Sequence, residues 1–319
     1  MRFVPLLLLV AAACTPEPGP PVRVTIPHGS SFSAVRDTLS RHGLLGSSTW
    51  FHLLARVMGV DRTIKPGVYE LTPGASAWTL LDILTRGEVV MVRFTVPEGL
   101  RLPEIASLAE AQLAIPVDSF LRAAGDPALL ARLDPALGSA EGYLAPETYT
   151  LPALTSAAEL VEAMANQFLA GWDPTWDDSV QARGLTRHEA VTLASIVEGE
   201  AKTDEERPLI ARVYLNRLRI GMPLQADPTI QYALAERRGS RTGRILYQDL
   251  EIDSPYNTYR RSGLPPGPIG APGRRSLEAV MAPADGPWLY FVASGDGEHT
   301  FSRTYGDHLR AVAKARRAQ

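Results

Sequence analysis

The chain has 319 residues, 45% of them hydrophobic, with a net charge of −3 and one cysteine. That length allows about two domains, each able to bury a core of its own. The charge balance and the lack of a basic stripe interleaved with aromatics argue against a nucleic-acid partner, and a single cysteine excludes an internal disulfide.

The start, MRFVPLLLLVAAAC, places a basic Arg2 before eleven residues, Phe3 to Ala13, that are apolar throughout. A bilayer core of about 30 Å needs about 20 apolar residues to cross it, so this run fits the hydrophobic core of a signal peptide. Ala11, Ala12 and Ala13 before Cys14 resemble a bacterial lipobox, which implies a lipidated Cys14; cleavage of a plain secretory signal near the alanines is the alternative. Residues 1–14 are thus expected to be a signal, and 15–21, TPEPGPP, an extended linker.

An internal repeat follows. VRVTIPHGS (22–30) returns as VRFTVPEGL (92–100), with Val, Arg, Thr, Pro and Gly at matching offsets. Each copy predicts a strand, a Pro-x-Gly turn and a helix. Between them a helix is expected around Trp50 to Val57, a strand over KPGVYELT (65–72), and a helix from Ala75 to Thr85 that stops at Gly87. A strand, two helices and a strand in about fifty residues is the plan of a LysM module, and 22–71 resembles one.

Helical patterns continue over 117–133 and 160–172. The intervening EGYLAPETYTL (141–151) carries closely spaced aromatics, prolines and two glutamates. WDPTWDD (172–178) reads as an acidic, aromatic surface loop.

The stretch TRHEAVTLASIVEGEA (186–201) predicts a buried helix ending in Glu198 and Glu200. At about 100° per residue, Ala190, Ile196 and Val197 fall within about 60° of Leu193, and Glu200 about 20° from it. Glu198 comes out beside the polar back of the helix. A carboxyl on an apolar face has its charged form disfavoured, so it holds a proton near neutral pH, as a general acid must. The helix alone leaves open a Glu200 that reaches solvent or pairs with Lys202 or an arginine.

Thr203 and Glu206 have capping-box spacing ahead of a helix with Ile210, Val213, Tyr214 and Leu218 on its core face and Asn216, Arg217 and Arg219 exposed. MPLQADPTIQY (222–232) enters the next helix at Asp227 and Pro228, where Asp227 serves as N-cap or as a site residue. SPYNTYRRSGLPPGPIGAP (254–272) is expected to be an ordered wall loop. The end predicts a helix near 276–281, a hairpin of WLYFVAS and HTFSRT, and a last helix from Tyr305; His299, at the start of a strand, suits a structural role as readily as a catalytic one.

The ordered segments ASIVEGEA, VYLNRLRIGMPLQADPTIQYAL, SPYNTYRRSGLPPGPIGAPG and PWLYFVASGDGEHTFSRTYGDH resemble the endolytic murein transglycosylases of the MltG (YceG-like) type, and EGYLAPETYTL the segment opening their catalytic domain. The resemblance implies an α+β protein: a LysM-like module over 22–91, a second strand-turn-helix segment over 92–140, and a catalytic domain over 141–319. It implies an exported, membrane-anchored envelope enzyme that cuts glycan strands of peptidoglycan at the MurNAc-β-1,4-GlcNAc bond and leaves 1,6-anhydro ends, using one glutamate and neither metal nor cofactor. Cell-wall synthases such as penicillin-binding proteins are the implied partners. The catalytic glutamate falls on Glu200. Gln225, Asp227, Asn257 and Tyr259 are implied to line the sugar cleft, with Asn216, Arg217 and His299 as further candidates. Gly199 and Ala201 depart from the family pattern, which has lysine between the two glutamates, and Ala145 stands where an aromatic is usual. A muramidase-like hydrolase and an inactive glycan-binding scaffold are the alternatives.

Overall fold

A computed structural model describes residues 19–135, 137–239, 244–294 and 298–318. The expected signal sequence, Cys14 and most of the expected linker lie outside them. In chain order the elements are β1 (Val22–Ile26), α1 (Phe32–Arg41), α2 (Ser48–Met58), β2 (Gly67–Leu71), α3 (Ala77–Arg86), β3 (Met91–Thr95), α4 (Leu102–Leu113), α5 (Val117–Ala124), α6 (Pro127–Leu133) and β4 (Thr148–Pro152). There follow α7 (Ala157–Gly171), α8 (Thr175–Gln181), α9 (Arg187–Glu200), α10 (Arg207–Arg219), α11 (Asp227–Arg238), a 3₁₀ turn (Tyr247–Glu251), α12 (Arg274–Met281), β5 (Tyr290–Ala293), β6 (His299–Ser302) and α13 (Tyr305–Ala318). The architecture is mixed α+β, with small two-stranded sheets beside many helices.

The chain divides into two compact units. Among the described residues, the first comprises 19–93 with 150–155, and the second comprises 94–149 with 156–318. Residues 92–140 therefore pack mainly in the same unit as 156–318.

In the first unit β1 runs antiparallel to β2, Val24 opposite Tyr69. Strand alternation turns Val24 and Ile26 inward, where they meet Val35, Leu39, Phe51, Tyr69 and Leu80. Ser31, Ser47 and Ser76 cap α1, α2 and α3 by accepting amide hydrogens of the first turn. Gly59 and Gly87 close α2 and α3 in the left-handed conformation. The repeat seen in the sequence is a repeat of conformation too: Gly29 and Gly99 have φ of 73° and 76° at the same point of each Pro-x-Gly turn. β3 pairs with β4, so the end of EGYLAPETYTL is a strand.

In the second unit α9 packs against α8, α10, α11 and α12. Every residue from Ala190 to Val197 is buried, which means this helix has no polar back. WDPTWDD lies at the surface through Pro174, Asp177 and Asp178 but is only half loop: its second half forms α8, and Trp172 and Trp176 are buried edge-to-face with ring centres 5.3 Å apart. The acidic residues serve this packing, because Asp177 accepts the Trp172 indole N–H and pairs with Arg187.

The 254–272 segment is fixed along its length. Ser195 Oγ accepts the Ile269 amide at 3.0 Å, His188 Nε2 lies 2.9 Å from the Pro266 carbonyl, and the Gly99 and Ala271 amides donate to Ala271 and Leu100 carbonyls. The terminal hairpin is antiparallel with Phe291 opposite Phe301.

Candidate active site

Glu200 is the last residue of α9, half-buried one turn beyond the fully buried stretch from Ala190 to Val197. Its Oε1 accepts a hydrogen bond from the Tyr214 hydroxyl at 2.7 Å. Burial lifts the Glu200 carboxyl to about 7 and the Asp227 charge adds to the lift; the Tyr214 hydrogen bond, Arg217 and Lys202 oppose it. The C-terminal end of a helix also disfavours a negative charge. A carboxyl that titrates near neutrality can give up a proton and take one back within a single reaction.

Tyr214 was legible only as a core residue of α10, and its ring is indeed buried, edge-on to Phe291 at 5.8 Å. Its hydroxyl is nevertheless a site group. With Oε1 taking that donated hydrogen, a proton on Glu200 resides on Oε2.

The Asp227 side chain does not cap α11, whose N-cap residue is Ala226. Instead Asp227 Oδ1 accepts from the Tyr259 hydroxyl at 2.6 Å and remains open to solvent. Tyr259 is raised well above an ordinary phenol by burial and by Asp227, and is held protonated as the donor. Glu200, Tyr214, Asp227 and Tyr259 therefore form one electrostatically coupled group.

The other sequence candidates stand around this group in different capacities. Gln225 is exposed, with a φ of 50° that is uncommon for a side-chain-bearing residue, and its amide bonds to the Thr258 carbonyl. Asn257 is buried; its Nδ2 donates to the Leu250 and Ile252 carbonyls, and its Oδ1 accepts the Tyr259 amide. It shapes the loop that presents Tyr259. Asn216 and Arg217 are buried, not exposed as the α10 pattern suggested. Asn216 donates to the Gly286 and Trp288 carbonyls, and Arg217 to those of Leu289 and Leu224. Helical periodicity cannot foresee this, because the hairpin that covers them is about seventy residues away in sequence. Arg217 is still close enough for its charge to lower Glu200.

Glu206 forms no capping box with Thr203; the cap of α10 makes no side-chain hydrogen bond. Glu206 turns to the hairpin, where one oxygen takes the His299 amide and the other lies 2.8 Å from His299 Nδ1. His299 thus joins β6 to the start of α10.

Glu198, expected beside the polar back of α9, is buried in a cluster of its own. It accepts from Arg207 Nη1 at 2.8 Å, and from the Gly273 amide and Ser276 Oγ at 2.9 Å each. Between the two acids, Gly199 touches the start of α11: a Cβ there would lie 2.7 Å from Pro228 Cβ. A cavity of about 260 Å³ opens beside this contact, lined in part by Glu98, Glu198, Gln231 and Tyr232. Among the described residues no group of three His, Cys, Asp or Glu side chains is arranged to hold a metal ion, and no helix is long and apolar enough to cross a membrane.

The chain is 33% identical over 309 residues to the endolytic murein transglycosylase of Bacillus subtilis, covering 92% of this chain and 84% of that one. It is 31% identical over 321 residues to the endolytic murein transglycosylase of Streptococcus pneumoniae (strain D39), and there it spans 58% of the relative's length. A crystal structure of a yceG-like protein from Listeria monocytogenes matches with a TM-score of 0.61 and 31% identity, covering 91% of this chain and 98% of the other. The model of the YceG-like family matches residues 24–314, a span that takes in both units and every residue of the Glu200 group, and on these grounds the chain belongs to the YceG-like family.

Proposed function

We propose that this chain is an endolytic lytic transglycosylase of peptidoglycan, cutting the β-1,4 bond between N-acetylmuramic acid and N-acetylglucosamine. The observation that carries the reading is the Glu200 carboxyl: half-buried, lifted to about 7 by its desolvation, and held through one oxygen by Tyr214. A lytic transglycosylase asks one residue to act as acid and then as base, and a carboxyl poised near neutrality suits both halves.

Protonated Glu200 gives its Oε2 proton to the glycosidic oxygen, and the bond from that oxygen to muramic acid C1 breaks. The N-acetylglucosamine side leaves with a free 4-hydroxyl. Positive charge at C1 and the ring oxygen is then offset by the new Glu200 carboxylate and by Asp227. The carboxylate takes the proton of the C6 hydroxyl as O6 closes on C1, which yields the 1,6-anhydro ring and restores the acid. No second carboxylate nucleophile is used, in contrast to retaining glycosidases. The β1–α1–α2–β2 unit is proposed as a LysM-like glycan-binding module. Lipidated Cys14 is the proposed anchor, and cell-wall synthases are the proposed protein partners.

Mass spectrometry of muropeptides after digestion of peptidoglycan by the purified protein tests the reading. Anhydro-muramic ends are expected; reducing ends alone would assign the site to a hydrolase, with Asp227 positioning water. Glu200→Gln is expected to abolish cleavage, and full activity in that variant would overturn the assignment of Glu200. An inactive parent protein that binds glycan would point to a scaffold.

A further inference from the structure

The outer face of α2 is apolar and uncovered. Trp50, Leu53 and Val57 are 56%, 52% and 77% exposed, and at about 100° per residue they lie within about 60° of one another. The opposite face supplies Phe51 and Ala55 to the core, so the helix is apolar on two sides. Arg56 is exposed at the edge of the stripe, about 60° from Leu53, and Arg62 is exposed just beyond the end of the helix. Tryptophan with aliphatic neighbours on one face and arginine at the edge is the composition of a helix that lies in a bilayer interface.

Charge points the same way. Residues 19–93 hold eight Lys and Arg against five Asp and Glu, a net +3, and the remainder of the chain holds 24 against 30, a net −6. The unit that follows the apolar start is the cationic one. Its tether is also short: residues 14–21 separate Ala13 from Val22, and eight proline-rich residues reach about 25 Å. A unit of this size has a radius of gyration of about 11 Å, so the tether is no longer than the unit is wide.

We infer that the Trp50–Leu53–Val57 face of α2 docks on an anionic lipid surface and lays the first unit against the membrane that holds the N-terminus. The inference rests on the export and anchoring reading given above.

The test uses the full chain carrying Cys14→Ser and Val57→Cys, labelled at the new thiol with an environment-sensitive fluorophore. It is mixed with vesicles of phosphatidylglycerol and phosphatidylethanolamine. The protein should float with the vesicles, its emission should shift to the blue, and brominated lipid should quench it. A label in place of exposed Tyr247 should stay aqueous. Adding Trp50→Ser and Leu53→Ser should cut the quenching about tenfold, and uncharged phosphatidylcholine vesicles should weaken it. Flotation with an aqueous label at position 57 would overturn the docking face and assign the binding to another part of the chain. Failure to float would overturn the docking face as well, since Cys14→Ser leaves it to bind without the lipid. A blue shift produced by peptidoglycan fragments alone would assign the face to glycan, and one that grows with protein concentration without vesicles would assign it to a second copy; either result overturns the inference.

Discussion

The two oxygens of Glu200 are not equivalent, and that asymmetry governs how the site responds to pH. Activity needs the acid protonated at the start, so the rate should fall as pH rises through about 7. The Tyr214 hydrogen bond favours the carboxylate. In Tyr214→Phe the carboxyl therefore moves further up, and the falling limb of kcat/KM against pH should shift to higher pH while kcat drops by about one to two orders of magnitude. A merely structural loss would lower the rate without moving the limb. Tyr259→Phe removes the donor to Asp227 at 2.6 Å and should lower kcat with little change in thermal stability, because Tyr259 is only partly buried. Glu198 belongs to a different class. Substituting Arg207→Ala strands a buried carboxylate beside Ser276, and chemical denaturation should show a loss of about 3–5 kcal/mol.

Helix α9 shows what sequence reasoning reaches and where it stops. The inward aim of Glu200 follows from an angle, while the capping box of Thr186 and Glu189 that starts the helix is a finding of the structure. The environment of Glu198 did not follow, because α12 and the Gly273 amide arrive from some seventy-five residues away and turn the supposed polar back into a second buried face. The same limit hid Tyr214, Asn216 and Arg217: a helical pattern separates apolar from polar positions, yet it cannot tell a tyrosine that only packs from one whose hydroxyl also donates to a carboxylate. Glu206 and Asp227 mark the converse error, in which cap-like spacing concealed side chains used at longer range. Gly199 is the sharpest case. In an isolated helix, Gly→Ala adds about 1 kcal/mol of stability; here the new methyl would meet Pro228 and push the start of α11, with Asp227, away from Glu200. Gly199→Ala should therefore lower kcat even where circular dichroism shows the helix content kept, and a bulkier Gly199→Lys should lower it further.

At the scale of the whole molecule, Glu141 and Glu200 bind protons more tightly folded than unfolded. Glu141 accepts the Leu102 amide at the start of α4 and is lifted by burial to about 8, and Glu200 is lifted to about 7, both from an ordinary 4.5. The folded state then holds more protons than the unfolded one between these limits. The stability they contribute is full below about pH 4.5 and is lost as pH rises through 7 and 8. Denaturant midpoints should accordingly be higher at pH 5 than at pH 8. Glu200→Gln should flatten this dependence and gain about 1–3 kcal/mol at pH 8 with nothing comparable at pH 5. The division of the chain has a further consequence, for biosynthesis. The first unit is discontinuous in sequence: residues 150–155 belong to it, and the Ala153 amide donates to the Val90 carbonyl. A chain emerging N-terminus first cannot complete that unit until residue 155 has appeared, by which time more than fifty residues of the second unit are already outside. Limited proteolysis of a fragment ending at Arg93 should find β1 and β2 less protected than in the full chain, and supplying residues 150–155 through a longer fragment should restore them.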